Sequence, residues 1–355
     1  MAAVREVIAR QQCTHALITD PADVEYISGF RSSNAMLLIS RARLGLFTDF
    51  RYMESAKEFC HLTGDKWKLG PIEGSGFKSL KKLIRSGSAI GIQSNSLTMD
   101  RYYDLERTLP GAQFVPLPDE LAGISIPKFE REIINMKTAA AIGDRALAAL
   151  FPFVKESMTE LELARALENL CAEYGSEKPA FDACVLFGER SALPHGRPTE
   201  RRLAKSDFIL IDFGCTVNGF RSDITRTFVY GRASEEQRNI HNIVLCAQER
   251  ARLAARAGMT CKELDAVARS VIAERGYGEY FGHGTGHGVG LRVHENPRVS
   301  KASDAVLLEN SVVTIEPGIY VPEIGGVRIE DMVLLQKDGA EVLTTTPRGL
   351  IELSV

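Results

Sequence analysis

The feature that most restricts how this chain can fold is a faint repeat of its second part upon itself. Met158-Thr159-x-x-Glu162-Leu163 recurs as Met259-Thr260-x-x-Glu263-Leu264, and Ala172-Glu173-x-Gly175 recurs as Ala273-Glu274-x-Gly276, both at an offset of 101 positions. In each copy the threonine can cap a helix, the glutamate three residues on can reach back to the cap, and the glycine supplies a stop. The order continues downstream at offsets drifting between 99 and 107: Pro194-His195-Gly-x-Pro198 with Val293-His294-Glu-x-Pro297, Ile211-Asp212-x-Gly214 with Ile315-Glu316-x-Gly318, and Arg221-x-Asp223 with Arg328-x-Glu330. Chance could produce any one match. Five in the same order imply two related halves facing each other, each contributing two carboxylates.

Local signals place those acids. Phe208-Ile-Leu-Ile211 reads as a buried strand running into Asp212, and Asn218-Gly219 is a two-residue hairpin turn leading to a strand through Asp223. If that turn sets the register, Asp223 lies opposite Gly214 and projects from the same face as Asp212, because side chains alternate along a strand. The second half offers Val312-Val-Thr-Ile315 leading to Glu316, a turn region at Glu323 to Gly326, and a strand from Val327 to Leu335 carrying Glu330; its longer loop leaves the register open.

Taken singly, each acid reads as a strand-end residue in a solvated turn or an ion pair, with Arg221, Arg226 and Arg328 available as partners. Together, two acidic pairs on apolar strands would repel one another and resist leaving water, so a positive group belongs between them. Two divalent cations balance four carboxylates. Four of the seven histidines (His195, His283, His287, His294) fall in two short segments beside these strands, which favours a metal or catalytic cluster over satisfied core residues. Gly282-His283-Gly-Thr-Gly-His287-Gly-Val-Gly290 is too glycine-rich for a helix and reads as a loop or bulged strand that lets backbone approach closely.

Other chemistries find no support. Gly-x-Gly-x-x-Gly, a phosphate-loop Gly-Lys, His-Glu-x-x-His and Gly-x-Ser-x-Gly are absent. A net charge of -3 gives no basic stripe, so no nucleic-acid or membrane partner is expected. The N-terminus lacks a signal-peptide core, and a cytoplasmic location is the default expectation. The seven cysteines are scattered without a Cys-x-x-Cys pair and read as small buried hydrophobes, Cys215 lying nearest the proposed site.

Before this part, residues 1 to about 121 alternate apolar runs (16–19, 35–39, 44–48, 89–93) with helix-like segments at 77–84 and 97–109, an α/β layout. Val115-Pro116-Leu117-Pro118, Gly123 and Pro127 interrupt regular structure and mark a domain boundary.

These residues resemble the pita-bread metallopeptidases, the family of Xaa-Pro dipeptidase (prolidase), aminopeptidase P and methionine aminopeptidase. The resemblance is carried by Ile-Asp212-Phe-Gly, Ser-Asp223-Ile-Thr-Arg-Thr, His283-Gly-Thr-Gly-His287-Gly-Val-Gly, Val-His294-Glu, Ile-Glu316-Pro-Gly and Val-Arg328-Ile-Glu330-Asp. Tyr26-Ile-Ser-Gly-Phe30 and Phe47-Thr-Asp-Phe-Arg-Tyr52 are similar to the creatinase/prolidase N-terminal domain. The resemblance implies an α/β (α+β) architecture. A pita-bread catalytic domain with an internal pseudo-two-fold repeat would span 128–355, preceded by a smaller α/β domain over 1–122.

The resemblance also implies metal ligands at Asp212, Asp223, His287, Glu316 and Glu330, with Asp223 and Glu330 bridging two cations. Manganese is preferred, cobalt or zinc being the substitutes. His195, His283, His294 and Glu316 would be catalytic, and His195, His294, Arg298 and Arg328 would meet substrate. The implied reaction is hydrolysis of Xaa-Pro bonds in short peptides by a metal-bridging hydroxide, in a homodimer. Rival expectations are a creatinase-like carbon-nitrogen hydrolase and a non-catalytic interaction protein on the same fold; the first lacks the full ligand set, and the second loses ligands and gains charged extensions. Methionine aminopeptidase needs no such N-terminal domain. Cys215, Phe220 and Leu186-Phe187 depart from the family's commoner residues without removing a ligand.

Overall fold

The computed structural model describes residues 1–73 and 76–353, which divide into two compact units, Met1–Ser125 and Ile126–Val355. The first is built on six strands: β1 (His15–Ile18), β2 (Ala35–Ser40), β3 (Leu44–Thr48), β4 (Lys68–Pro71), β5 (Ala89–Ile92) and β6 (Gln113–Pro116), in spatial order β4-β3-β2-β1-β5-β6. Helices α1 (Ala2–Arg10), α2 (Pro21–Ser28), α3 (Met53–Leu62) and α4 (Met99–Thr108) accompany them. Both faces of the sheet are buried. Ala16, Ile18, Leu37 and Ile39 enter one apolar cluster, while Leu17, Met36 and Leu38 enter another, which is why these strands read as continuous apolar runs.

The two strands without such a run, β4 and β6, are the edges, and their partly exposed residues give no apolar alternation to read. The expected helix at 77–84 is a short 3-10 turn over Lys78–Lys82. The two units divide between Gly123 and Pro127, and Val115–Pro118 lies within the first. Pro116 closes an edge strand, where its missing N–H costs little, and Pro118 opens helix α5 (Pro118–Ala122).

The second unit repeats one arrangement. Helices α6 (Glu130–Leu150) and α7 (Glu160–Glu173) pack on β7 (Cys184–Phe187), β8 (Phe208–Phe213) and β11 (Ile224–Tyr230), with β9 (Thr216–Val217) and β10 (Phe220–Arg221) at the hairpin tip. Helices α8 (Glu235–Ala254) and α9 (Cys261–Glu274) pack on β14 (Val312–Ile315) and β17 (Asp331–Gln336). β12 (Gly286–Gly288) and β13 (Glu295–Val299) extend the second sheet on one side and β18 (Gly339–Val342) on the other. β15 (Gly318–Val321) and β16 (Gly325–Arg328) form a separate hairpin, and β19 (Glu352–Leu353) pairs with β11.

The repeated start signals do what their spacing implies. α7 and α9 are both 14 residues long, Thr159 and Thr260 each accept from the backbone N–H three residues on, and Glu162 and Glu263 each accept from the cap N–H at 2.8 Å. Gly175 and Gly276 follow with positive φ. Even the bridges that flank the caps correspond, Thr159 with Arg202 and Thr260 with Val306.

A buried group in α8 makes stability depend on pH. His241 is 1% exposed, and among the described residues neither ring nitrogen has a hydrogen-bond partner. Burial, with the Arg226 guanidinium nearby, pushes its pKa down to about 4. The unfolded chain therefore binds the proton first, and stability falls as pH drops from about 6.5 toward 4. At ~1.4 kcal/mol per unit, the loss is at most about 3.5 kcal/mol. Urea midpoints at pH 7 and pH 4.5 should converge for His241→Leu relative to the wild-type chain; an equal acid shift in both would exclude this origin.

Candidate metal centre

The Asn218-Gly219 turn, with positive φ at both residues, sets the first hairpin as its sequence requires. Thr216 pairs with Arg221 and Phe213 with Ile224, so Asp223 falls opposite Gly214 and Asp212 pairs with Thr225. The second half settles the register that its longer loop left open. Ile315 pairs with Asp331 and Gly318 with Arg328, so Glu316 faces Glu330 directly. The acids are thus diagonal in one half and opposed in the other. The strand expected through Glu330 is in fact broken at Ile329-Glu330, where the backbone leaves its own hairpin: Glu330 N donates instead to Thr225 O of β11 at 3.1 Å. That crossing joins the two halves.

His287 enters from β12, whose pairing with β13 shifts register between His287 and Gly288. A Cβ at Gly286 would lie 2.0 Å from Thr314 O, and one at Gly288 would lie 2.3 Å from Asn296 O. Only glycine admits this approach. The result puts His287 Nε2 3.3 Å from Glu316 Oε1 and 3.7 Å from Asp223 Oδ2. Ligand-type atoms of Asp223, His287 and Glu330 all lie within 4.8 Å of one another. His287 Nδ1 sits 3.1 Å from Gly288 O, to which its N–H donates, so the Nε2 lone pair faces the acids. Burial lowers the imidazole pKa and favours that neutral form.

The arginines that could have neutralised the acids are largely engaged elsewhere. Arg226 pairs with Asp331 at 2.8 Å, and Arg221 donates to Ala180 O. Arg328 reaches one oxygen of Asp212 at 2.5 Å and leaves the other, Oδ1, buried without a hydrogen-bond partner. Burial first, then repulsion among the neighbouring carboxylates, raises the pKa of Asp223 and Glu330 well above the ordinary range, and burial raises Glu316. A carboxylate set that resists ionising together, an orphaned carboxylate oxygen and a free imidazole nitrogen suit divalent cations chemically. Asp212, Asp223, His287, Glu316 and Glu330 are the residues that would hold them.

Arg328 was expected at the substrate. It is 3% exposed and braces the acids: Nη1 donates to the Tyr320 hydroxyl at 2.8 Å and Nε to the Thr225 hydroxyl at 3.1 Å, and Thr225 in turn donates to Glu330 Oε2 at 2.6 Å. Tyr320, with its hydroxyl hydrogen available, lies 2.8 Å from His283 Nε2, while His283 Nδ1 lies 2.7 Å from Gly284 O. A continuous path Arg328, Tyr320, His283 therefore borders Glu316. Tyr320, Thr225 and Thr314, which accepts from His287 N at 3.0 Å, were not singled out from sequence. Thr225 was legible: the turn register puts it opposite Asp212.

His195, His294 and Arg298 are exposed. The His294 ring stands 4.3 Å from that of His287, centroid to centroid, which puts it beside the acidic cluster. Its loop is tied by the buried pair Lys128–Glu295 at 2.8 Å. The His283 loop is tied by Asp265, which accepts from Thr285 N and Oγ1, and by Arg269, which donates to Phe281 O and His283 O.

Residues 134–337 match the model of metallopeptidase family M24, and residues 1–124 match the creatinase/prolidase N-terminal domain. The Xaa-Pro dipeptidase of Pyrococcus horikoshii is 40% identical over 347 residues, covering 98% of this chain and 97% of that one. Among solved structures, an Xaa-Pro dipeptidase from Bacillus anthracis superposes with a TM-score of 0.94 at 36% identity, covering 99% of this chain and 98% of that one. An X-Pro aminopeptidase from Thermotoga maritima superposes with 0.89 at the same 36% identity, covering 100% and 99%.

Proposed function

The chain belongs to metallopeptidase family M24 and carries the family's creatinase/prolidase N-terminal domain, and from that premise we propose that it hydrolyses Xaa-Pro bonds of short peptides as a dinuclear metallo-exopeptidase. The observation that carries this reading is the convergence of Asp212, Asp223, His287, Glu316 and Glu330 on one buried space, with an unpartnered oxygen on Asp212. Asp212, Asp223, His287, Glu316 and Glu330 would hold the two cations. Two manganese ions per chain are the assignment that the hard, oxygen-rich donor set favours, with cobalt or zinc as substitutes. When bound, such cations polarise the scissile carbonyl and lower the pKa of a shared water.

The chain's own residues do the rest. Glu316 takes the proton from the attacking water and returns it to the leaving proline nitrogen. His195 and His294, on loops beside the ligands, donate to the developing oxyanion. His283, catalytic by its place in the family's motif, is kept neutral by burial and held at both ring nitrogens, by Gly284 O and by the Tyr320 hydroxyl that Arg328 braces. Arg298 meets the substrate carboxylate. The protein works as a cytoplasmic homodimer. Among the described residues, no helix is long and apolar enough to cross a membrane.

The dipeptidase and the aminopeptidase among the solved structures are both 36% identical to this chain, so chain length is the property to assay. Metal-reconstituted enzyme is given Ala-Pro and Ala-Pro-Ala in parallel. Cleavage of the dipeptide alone is expected for a prolidase, and release of alanine from the tripeptide for an aminopeptidase. Failure to cleave either, with metal bound, rejects Xaa-Pro hydrolysis.

A further inference from the structure

The loop that carries His195 is fastened by a carboxylate outside the metal set. Glu160 opens α7 and is fully buried, at 0% exposure. Its Oε1 accepts from Phe187 N at 2.9 Å, where β7 ends. Its Oε2 accepts from Thr199 N at 2.9 Å and from the Thr199 hydroxyl at 2.8 Å. Arg190 Nε lies 3.1 and 3.0 Å from the two oxygens, and Arg190 Nη2 donates to Arg197 O at 2.8 Å. One carboxylate therefore receives both ends of the 188–198 loop, and the guanidinium that neutralises it grips the limb just beyond His195.

The middle of that loop is also joined to the metal hairpin. Ser191 Oγ accepts from Gly326 N at 2.7 Å, and Pro194 O lies 3.4 Å from Arg328 Nη1. His195 itself is exposed, so where its imidazole stands is decided by the backbone on either side of it. An ordinary loop anchor needs one hydrogen bond at each end. Here a buried, charge-assisted node closes the loop from both ends, the strong form of such contacts.

We propose that Glu160 is a positioning residue for His195, holding the loop so that the imidazole meets the scissile bond. This rests on the reading of His195 as a substrate contact. In Glu160→Gln the amide oxygen can accept at one end of the loop, but the NH2 faces donors at the other, so one end is released. A displacement on the ångström scale costs up to about 100-fold in rate.

The test is a double-mutant cycle on metal-reconstituted enzyme: wild type, Glu160→Gln, His195→Ala and the double variant, with kcat, KM and metal content measured for each. Glu160→Gln is expected to lower kcat by about 10- to 100-fold with metal content unchanged, and to change activity less than about 2-fold once His195 is alanine. An unimpaired His195→Ala enzyme overturns the reading of His195 and the proposal with it. An impaired His195→Ala enzyme in which Glu160→Gln still costs the same factor overturns the role of Glu160 alone. If Glu160→Gln does not fold, Thr199→Val removes one donor at similar size and enters the same cycle, with an expected loss of about 3-fold that must likewise vanish in the alanine background.

Discussion

Asp223→Asn is expected to abolish Xaa-Pro hydrolysis while leaving the metal-free protein at least as stable as the wild-type chain. The two effects have opposite signs for one reason. Asp223 is 4% exposed, and Glu330, Asp212 and Glu316 all oppose its ionisation. Without cations a charge there is a liability, and an amide of nearly the same shape removes it. On the proposed mechanism the same carboxylate would help hold the cations. Loss of a mere outer-sphere partner of a metal costs 10- to 100-fold in affinity or activity, so loss of a direct ligand should exceed about 100-fold. Thermal unfolding in chelator and in manganese separates the contributions. Wild-type protein should gain stability with metal, about 2.7 kcal/mol when the free ion is at 100 times Kd, and Asp223→Asn should gain little. A variant less stable than wild type in chelator would show that Asp223 serves the fold and not the ions.

Asp331→Ala should produce the largest loss of stability, about 3–5 kcal/mol, the range for breaking a buried ion pair by removing one partner. Asp331 is 0% exposed and is the hub of a network behind Glu330. Arg226 and Thr344 donate to one oxygen at 2.8 Å each; Gln248 donates to the other at 2.7 Å, joined there by Arg348. Arg226, the largest fully buried side chain, also donates to Glu330 O, Thr346 O and Pro347 O. The segment at 344–348 is thereby clamped onto the backbone at Glu330 and Asp331, and Asp144 of α6 accepts hydrogen bonds from the backbone and hydroxyls of Thr345 and Thr346. Burial alone would raise the Asp331 pKa, but Arg226 and Arg348 hold it below the ordinary range. Its stabilisation is therefore fully present at neutral pH and is lost only as pH falls below about 4. Denaturant midpoints at pH 7 measure the change; a shift under about 1 kcal/mol would mean the network relaxes without this carboxylate.

How much of this was legible before coordinates follows from what each signal depends on. The first hairpin was readable because an Asn-Gly turn fixes register locally, and that register places Asp212 beside Thr225 and Asp223 across from Gly214. Repeated capping boxes fixed the starts of α7 and α9 for the same reason: every group involved lies within four residues. What escaped depends on contacts far apart in sequence. Arg328 was one of three arginines available to the acids, and its choice of Asp212, with Thr225 and Tyr320 beside it, is decided only once the halves are joined. Glu160 is one more acidic residue in a helical first turn until Phe187 and Thr199 converge on it from 27 and 39 positions away. The edge strands β4 and β6 were missed because half-exposed strands leave no apolar alternation.

On the proposed mechanism, five side chains from two matched halves would hold a pair of divalent ions that the reaction requires. Calorimetric titration of stripped protein with Mn2+, with Ala-Pro hydrolysis followed on the same samples, tests this most directly. Binding is expected to saturate at two ions per chain, with a rate that climbs from background to a plateau as the sites fill. Full-rate hydrolysis by protein shown by elemental analysis to be metal-free, or a titration with no binding at all, would contradict it.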